Sequence, residues 1–115
     1  MTVVLHTPET GLVKTDISDG WTAIEGEPTM TTWFEYQSPD QSIVTGTWRS
    51  TTGPYRAEAR FHEYVYLVEG VIELTPDGGE TVTARAGDAF TVEADFKGVW
   101  RIVEPVYKRF LLKTG

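Results

Sequence analysis

From about residue 31 onward the chain has the residue pattern of β-strands, and hydrophobic and polar residues alternate cleanly with a period of two at Tyr55–His62 and Val106–Lys113. Eight segments rich in Val, Ile, Thr and aromatic residues follow one another, which is typical of β-strands. The predicted strands are Thr31–Gln37, Ser42–Arg49, Tyr55–Phe61, Tyr64–Leu74, Glu80–Arg85, Ala89–Val92, Val99–Val103 and Val106–Lys113. No segment carries a long apolar stripe with a period of 3.6 residues, so the pattern predicts an all-β sandwich or barrel.

Turn-forming residues separate these strands, as expected for short antiparallel connections. They are SPDQ at 38–41, TTGP at 51–54, PDGG at 76–79 and AGD at 86–88. Residues 6–30 are instead rich in Thr, Gly, Asp, Glu and Pro and show no sustained periodicity. We therefore predict an irregular N-terminal arm over residues 1–30, containing one short strand or helical turn, that packs on a barrel formed by residues 31–115.

The alternation also predicts which side chains face the interior in two of the strands. In the first, the inward set is Tyr55, Ala57, Ala59 and Phe61; in the last, it is Val106, Lys108, Phe110 and Leu112. The second set places one lysine in an otherwise apolar row. A buried ammonium group needs a partner, so this lysine is a candidate functional residue.

Composition narrows the classes of function. The chain has 115 residues, 40% of them hydrophobic, which suits one domain with its own core. It has no cysteine, which excludes a disulfide framework and a thiolate nucleophile. The net charge of −7 and the lack of a basic stripe argue against nucleic acid and membranes as partners. No signal peptide or membrane-spanning run is visible, so we expect a cytoplasmic protein.

Several short motifs follow one another between Gly46 and Leu112. They are Gly46-Thr-Trp48, Gly53, Glu63-Tyr-Val-Tyr-Leu-Val-Glu-Gly70, Asp77-Gly-Gly-Glu80, Ala86-Gly-Asp88-Ala89, Phe96-Lys-Gly98-Val-Trp100 and Glu104-Pro-Val-Tyr-Lys108. In this order and spacing the chain resembles the cupin superfamily, and more narrowly the small single-domain cupins of the ureidoglycine aminohydrolase-like group. The resemblance implies a double-stranded β-helix, also called a jelly-roll barrel.

The resemblance also implies where a cupin metal site would lie. Glu63, followed after six residues by Gly70, matches the second half of the first cupin motif, which puts its two histidine positions at Ala57 and Ala59. The histidine of the second motif falls at Gly98, and the proline and glycine of that motif are replaced by Glu93 and Asp95. The two histidines of the chain are elsewhere: His6 lies in the arm, and His62 should point to the opposite face from Glu63. We therefore predict no metal and no other cofactor, and the metal-dependent aminohydrolase activity of the group is not expected here.

Missing imidazoles at two inward positions should leave free volume in the mouth of the barrel. The candidate ligand-binding residues are Trp48, Tyr55, Ala57, Ala59, Glu63, Trp100 and Lys108. For the tryptophans, packing in the core is the more common role. Glu63 and Lys108 are the candidate catalytic residues; each can be a structural ion-pair member or a ligand-binding or acid–base group. An imine-forming lysine is compatible with the sequence, but nothing in the sequence singles it out.

Three functions follow as hypotheses. The first is a metal-free cupin that binds a small molecule in the barrel mouth. The second is a non-catalytic oligomeric interaction module, and the third is a metal-dependent aminohydrolase or isomerase of the ureidoglycine type. Because open sheet edges must be covered, we also expect a homodimer.

Overall fold

A computed structural model describes residues 2–114, which form nine β-strands and no helix. The strands are β1 (Leu12–Lys14), β2 (Trp21–Ala23), β3 (Met30–Gln37), β4 (Ile43–Ser50), β5 (Gly53–Glu58), β6 (His62–Pro76), β7 (Val82–Arg85), β8 (Ala89–Val92) and β9 (Lys97–Lys113). The all-β prediction is confirmed. Residues 2–114 therefore contain no helix that could cross a membrane.

The long strand β9 organises the sheet, in which all pairings are antiparallel. Strand β6 follows one edge of β9 from His62 opposite Lys113 to Pro76 opposite Gly98. The other edge of β9 is shared between β5, beside its first half, and β4, beside its second half. Strands β7 and β8 pair with the far edge of β6, while β3 and β1 extend the sheet beyond β4, and β2 extends it beyond β5. The sheet curls around one core, as in a cupin barrel.

The sequence predicts two strands where the structure has the single strand β9, and the prediction of a break between Val103 and Val106 is wrong. Pro105 lies where β9 changes its neighbour from β5 to β4. Across from it, the register of β6 shifts around Gly70, which has a φ of 100°. A Cβ atom at Gly70 would lie 2.4 Å from the carbonyl oxygen of Pro105. Proline is tolerated in a strand at such an irregularity because no ladder hydrogen bond is required there.

The N-terminal arm contributes two strands to the sheet, where the sequence predicted at most one. Strand β1 pairs with β3, and β2 pairs with β5 so that Trp21 lies opposite Ala57. Each of these strands is three residues long. Three residues are too few for an alternating pattern to be recognised against the surrounding polar sequence.

The core lies on the inner face of the curled sheet. Its largest fully buried side chains include Trp100, Tyr55, Leu67 and Ile72. The predicted inward positions Val106, Lys108 and Phe110 are all buried. Phe61 is an exception, because 40% of it is exposed. Strand β5 ends at Glu58, so the alternation that selected Phe61 does not continue that far.

Candidate functional site

A cavity of about 650 Å³ opens from the inner face of the barrel to the surface. Its lining is mainly apolar, and it includes two alanines, Ala57 and Ala59, where the resemblance placed histidines. Around Lys108 and Glu63 the walls are aromatic; the lining also contains other charged residues, namely Lys14, Asp16, Asp19, Glu35, Glu58 and Arg60. An apolar cavity with a few fixed polar groups is the usual form of a small-molecule site.

Lys108 is the central charged residue of this cavity. Strand β9 places it between Val106 and Phe110 on the inner face, and only 4% of its side chain is exposed. Its Nζ donates a hydrogen bond of 2.6 Å to Oε2 of Glu63, which strand β6 carries on the neighbouring edge. The two residues that the sequence analysis named as candidate catalytic residues are therefore in contact.

Two indole rings lie close to the ammonium group. Lys108 Nζ lies 4.4 Å from the ring centroid of Trp48 and 4.5 Å from that of Trp100. The rings of Trp21 and Phe110 lie 5.9 Å away. Cations are attracted to aromatic faces within about 6 Å. The amine is thus fixed in an aromatic cage, with one carboxylate as its hydrogen-bond acceptor.

Burial lowers the pKa of Lys108 below the usual lysine value of 10.5, because the charged form loses its hydration. The carboxylate of Glu63 opposes this effect and raises the pKa, but desolvation is the larger cause. The amine is therefore easier to deprotonate than an exposed lysine.

Trp21 is a site residue that the sequence analysis missed. Its ring contacts those of Trp48, Tyr55 and Trp100, with centroid distances of 5.7, 5.6 and 4.8 Å. Strand β2 positions it by pairing with β5. The sequence did contain a signal for this residue. Trp21 is a large aromatic residue in an otherwise polar arm, and such a side chain is normally buried against other hydrophobic residues.

Six of the seven predicted ligand-binding residues line the cavity, and Tyr55 does not. Tyr55 is fully buried in the core, where its hydroxyl lies 2.9 Å from Oγ of Ser50. Burial raises the pKa of its phenol. Tyr55 shares the inward parity of Ala57, but parity does not specify how far along the barrel a side chain lies.

The residues at the cupin metal positions do not fit a metal ion. Ala57 and Ala59 line the cavity but carry no ligating atom, and Glu63 is already bonded to a lysine. Gly98 lies directly opposite Ala57, and a Cβ atom there would come 2.2 Å from the backbone oxygen of Thr75. Among residues 2–114, no three His, Cys, Asp or Glu side chains converge.

A second buried carboxylate, Glu35, attaches the arm to the barrel. It is the extra residue at the irregularity in β3, and only 1% of its side chain is exposed. Its Oε2 accepts hydrogen bonds from the backbone N–H of Glu9, at 2.7 Å, and from the hydroxyl of Thr47. The guanidinium of Arg109 lies 3.7 Å from Oε1. Glu35 is thus a structural contact between the arm and strands β3, β4 and β9.

Comparison with known proteins agrees with this architecture. The model of the EutQ-like cupin domain matches residues 37–110, which is more than half of the chain. No curated protein matches the chain.

Solved structures show the same fold at low sequence identity. A protein of unknown function from Pseudomonas syringae pv. tomato, of the DUF861 family, superposes with a TM-score of 0.71 and 22% identity over 96% of this chain. The EutQ protein of Clostridium difficile gives 0.67 and 13% over 76%, and a putative ethanolamine utilization protein Q from Salmonella typhimurium gives 0.66 and 18% over 84%. The chain spans 45% of the Pseudomonas protein, 69% of the Clostridium protein and 75% of the Salmonella protein.

Proposed function

The chain belongs to the EutQ-like cupin family, and from the geometry of its cavity we propose that it binds a small, uncharged molecule beside Lys108 and Glu63 without a metal ion. The observation that carries this proposal is the buried ion pair in the cavity wall, with Nζ and Oε2 2.6 Å apart. A charged pair in an apolar cavity supplies directional polar contacts to a ligand that aromatic walls would otherwise hold without orientation.

The charge of the ligand follows from the pair itself. Lys108 and Glu63 neutralise each other, so a ligand group placed between the indole rings beside Nζ meets a neutral pair, which favours an uncharged group there. A carbonyl, amide or ureido oxygen can accept a hydrogen bond from Nζ, because an ammonium group has three donors and Glu63 is the acceptor of one. The same two residues are the candidates for moving a proton to or from such a ligand.

The binding proposal does not depend on which subgroup of the cupin family the chain resembles. The resemblance to ureidoglycine aminohydrolase-like cupins stays a prediction from the motifs, and the metal-dependent reaction of that group is not part of the proposal. Metal analysis of the purified protein tests this directly. Stoichiometric Mn, Zn, Fe or Ni that is lost in Glu63→Gln would favour the aminohydrolase hypothesis instead.

A thermal-shift screen tests the binding proposal. The library contains neutral carbonyl compounds, ureido compounds and small carboxylates. A ligand at about 100 times its Kd stabilises the folded state by about 2.7 kcal/mol, which raises the Tm by several degrees. We expect such a shift from an uncharged compound.

Two variants localise the binding. Ala59→Phe fills part of the cavity and should abolish the ligand-dependent shift, whereas Lys97→Met, at an exposed lysine outside it, should keep the shift. A shift that persists in Ala59→Phe would place the ligand elsewhere. If no compound shifts the wild type, the proposal fails, and the non-catalytic oligomeric interaction module becomes the better hypothesis.

A further inference from the structure

The amine of Lys108 has a chemical capacity that simple binding does not use. It is buried in the wall of a cavity large enough for a small molecule, and the rings of Trp48 and Trp100 fix its position. Directly beside it is a carboxyl group that can give and take a proton. A site for covalent chemistry of an amine needs a fixed amine, an adjacent acid–base group and an apolar cavity, and all three are present here.

We propose that Lys108 forms a reversible imine with the carbonyl carbon of a small, uncharged aldehyde or ketone, with Glu63 transferring the protons. This inference rests on the proposed function, because it takes the cavity of the binding proposal as the carbonyl site. The aromatic walls select an apolar or aromatic carbonyl compound.

The reaction begins from the neutral form of the pair, in which Nζ has passed its proton to Glu63. The nitrogen lone pair attacks the carbonyl carbon, a C–N bond forms, and the carbonyl oxygen takes the proton from Glu63. The positively charged nitrogen then returns a proton to the Glu63 carboxylate. Glu63 next protonates the hydroxyl group, which leaves as water while the C=N bond forms. The product is a protonated imine beside the Glu63 carboxylate, and no oxidant or reductant is consumed.

The environment favours the reactive form of the amine. An exposed lysine is almost entirely protonated at neutral pH and therefore a poor nucleophile. Burial lowers the pKa of Lys108, so more of its amine is neutral at a given pH. The distance of 2.6 Å between Nζ and Oε2 lets Glu63 reach both the nitrogen and an oxygen bonded to the same carbon.

Reductive trapping tests the proposal. The full chain is incubated with benzaldehyde and sodium cyanoborohydride near pH 8, and the modified peptides are identified by mass spectrometry. We expect Lys108 to be labelled about tenfold faster than Lys97, because more of its amine is neutral and it lies beside the aldehyde. The advantage should disappear in concentrated urea, a control that needs no variant. Labelling of Lys108 that is no faster than that of Lys97 in the folded protein would overturn the proposal.

Variants separate the role of Glu63 from that of the cavity. Glu63→Gln removes the proton carrier and should slow labelling of Lys108 by about a hundredfold at saturating aldehyde, whereas Lys97→Met should leave its rate unchanged. Benzyl alcohol, which lacks the carbonyl group, distinguishes the two proposals. If it raises the Tm but benzaldehyde is not trapped, binding stands and imine formation fails. If the compounds of the library neither shift the Tm nor give trapping, both proposals fail.

Discussion

Lys108 and Glu63 show how strongly a single buried charge depends on one neighbour. The side chain of Lys108 is 4% exposed and that of Glu63 is 14% exposed, so neither is well hydrated. Their mutual contact, together with the indole faces of Trp48 and Trp100, replaces the lost water. This dependence can be measured independently of any ligand.

We expect Lys108→Met and Glu63→Gln each to lower the free energy of unfolding by about 3–5 kcal/mol, because each strands the other polar group. The double variant should recover part of the loss, which gives a favourable coupling energy in urea unfolding. Arg56 and Asp77 form the matched control, since their ion pair is also 2.6 Å long but exposed. Its coupling should be much smaller because solvent screens it. Two nearly neutral and strictly additive substitutions at Lys108 and Glu63 would contradict this expectation.

At the scale of elements, the connection between β3 and β4 is stabilised by a charge in its turn. Oδ1 of Asp40 accepts hydrogen bonds from the hydroxyls of Ser38 and Ser42, at 2.7 and 2.8 Å, and from the backbone N–H of Ser42, at 3.1 Å. These bonds, that of Ser38 first, lower the pKa of Asp40 from 3.8 to about 2. The ionised carboxylate thus holds the turn that sets the register of the hairpin.

The sign of the resulting pH dependence follows from the lowered pKa. The folded chain binds a proton at Asp40 less readily than the unfolded chain, so ionisation stabilises the fold above about pH 3.8. This contribution should be lost as the pH falls towards 2. We expect Asp40→Asn to be less stable than the wild type at pH 6 and the difference to shrink between pH 4 and 2. Urea unfolding of both proteins at each pH measures the difference in the free energy of unfolding. A difference that stays constant with pH would disprove the role of the charge.

At the scale of the whole molecule, exposed apolar side chains remain on the outer face of the barrel. Tyr64 and Tyr66 of β6 are 50% and 44% exposed, and in the arm Val3 and Leu5 are 93% and 91% exposed. Apolar surface of this kind is typical of protein–protein contacts. It supports the proposal that two copies of this chain associate through exposed apolar side chains of β6 and of the arm.

We expect light scattering at high micromolar concentration to give the mass of a dimer. Tyr66→Glu should shift the mass towards that of the monomer because a charge cannot be buried in the contact without a partner. Glu80→Lys, at an exposed position between β6 and β7, serves as a control and should stay dimeric. A wild type that remains monomeric at this concentration, with an unchanged circular dichroism spectrum, would refute the assembly.

The amino-acid sequence by itself determined the all-β class and most of the inward-facing residues of the strands that it identified. The alternation that selected Tyr55, Ala57 and Lys108 as interior depends only on the period of a strand, which is a local property. The sequence also showed where Ala57, Ala59 and Glu63 lie relative to a cupin motif, because that comparison needs only the spacing of residues along the chain.

Only the tertiary structure decided which of the inward residues meet. Trp21 reaches Trp100 because β2 adds to the edge of β5, and Tyr55 lies outside the cavity although its parity is the same as that of Ala57. Pro105 remains within a strand because β6 is irregular opposite it. These outcomes depend on how one sheet curls and how distant segments pair, and a period of two residues contains no information on either.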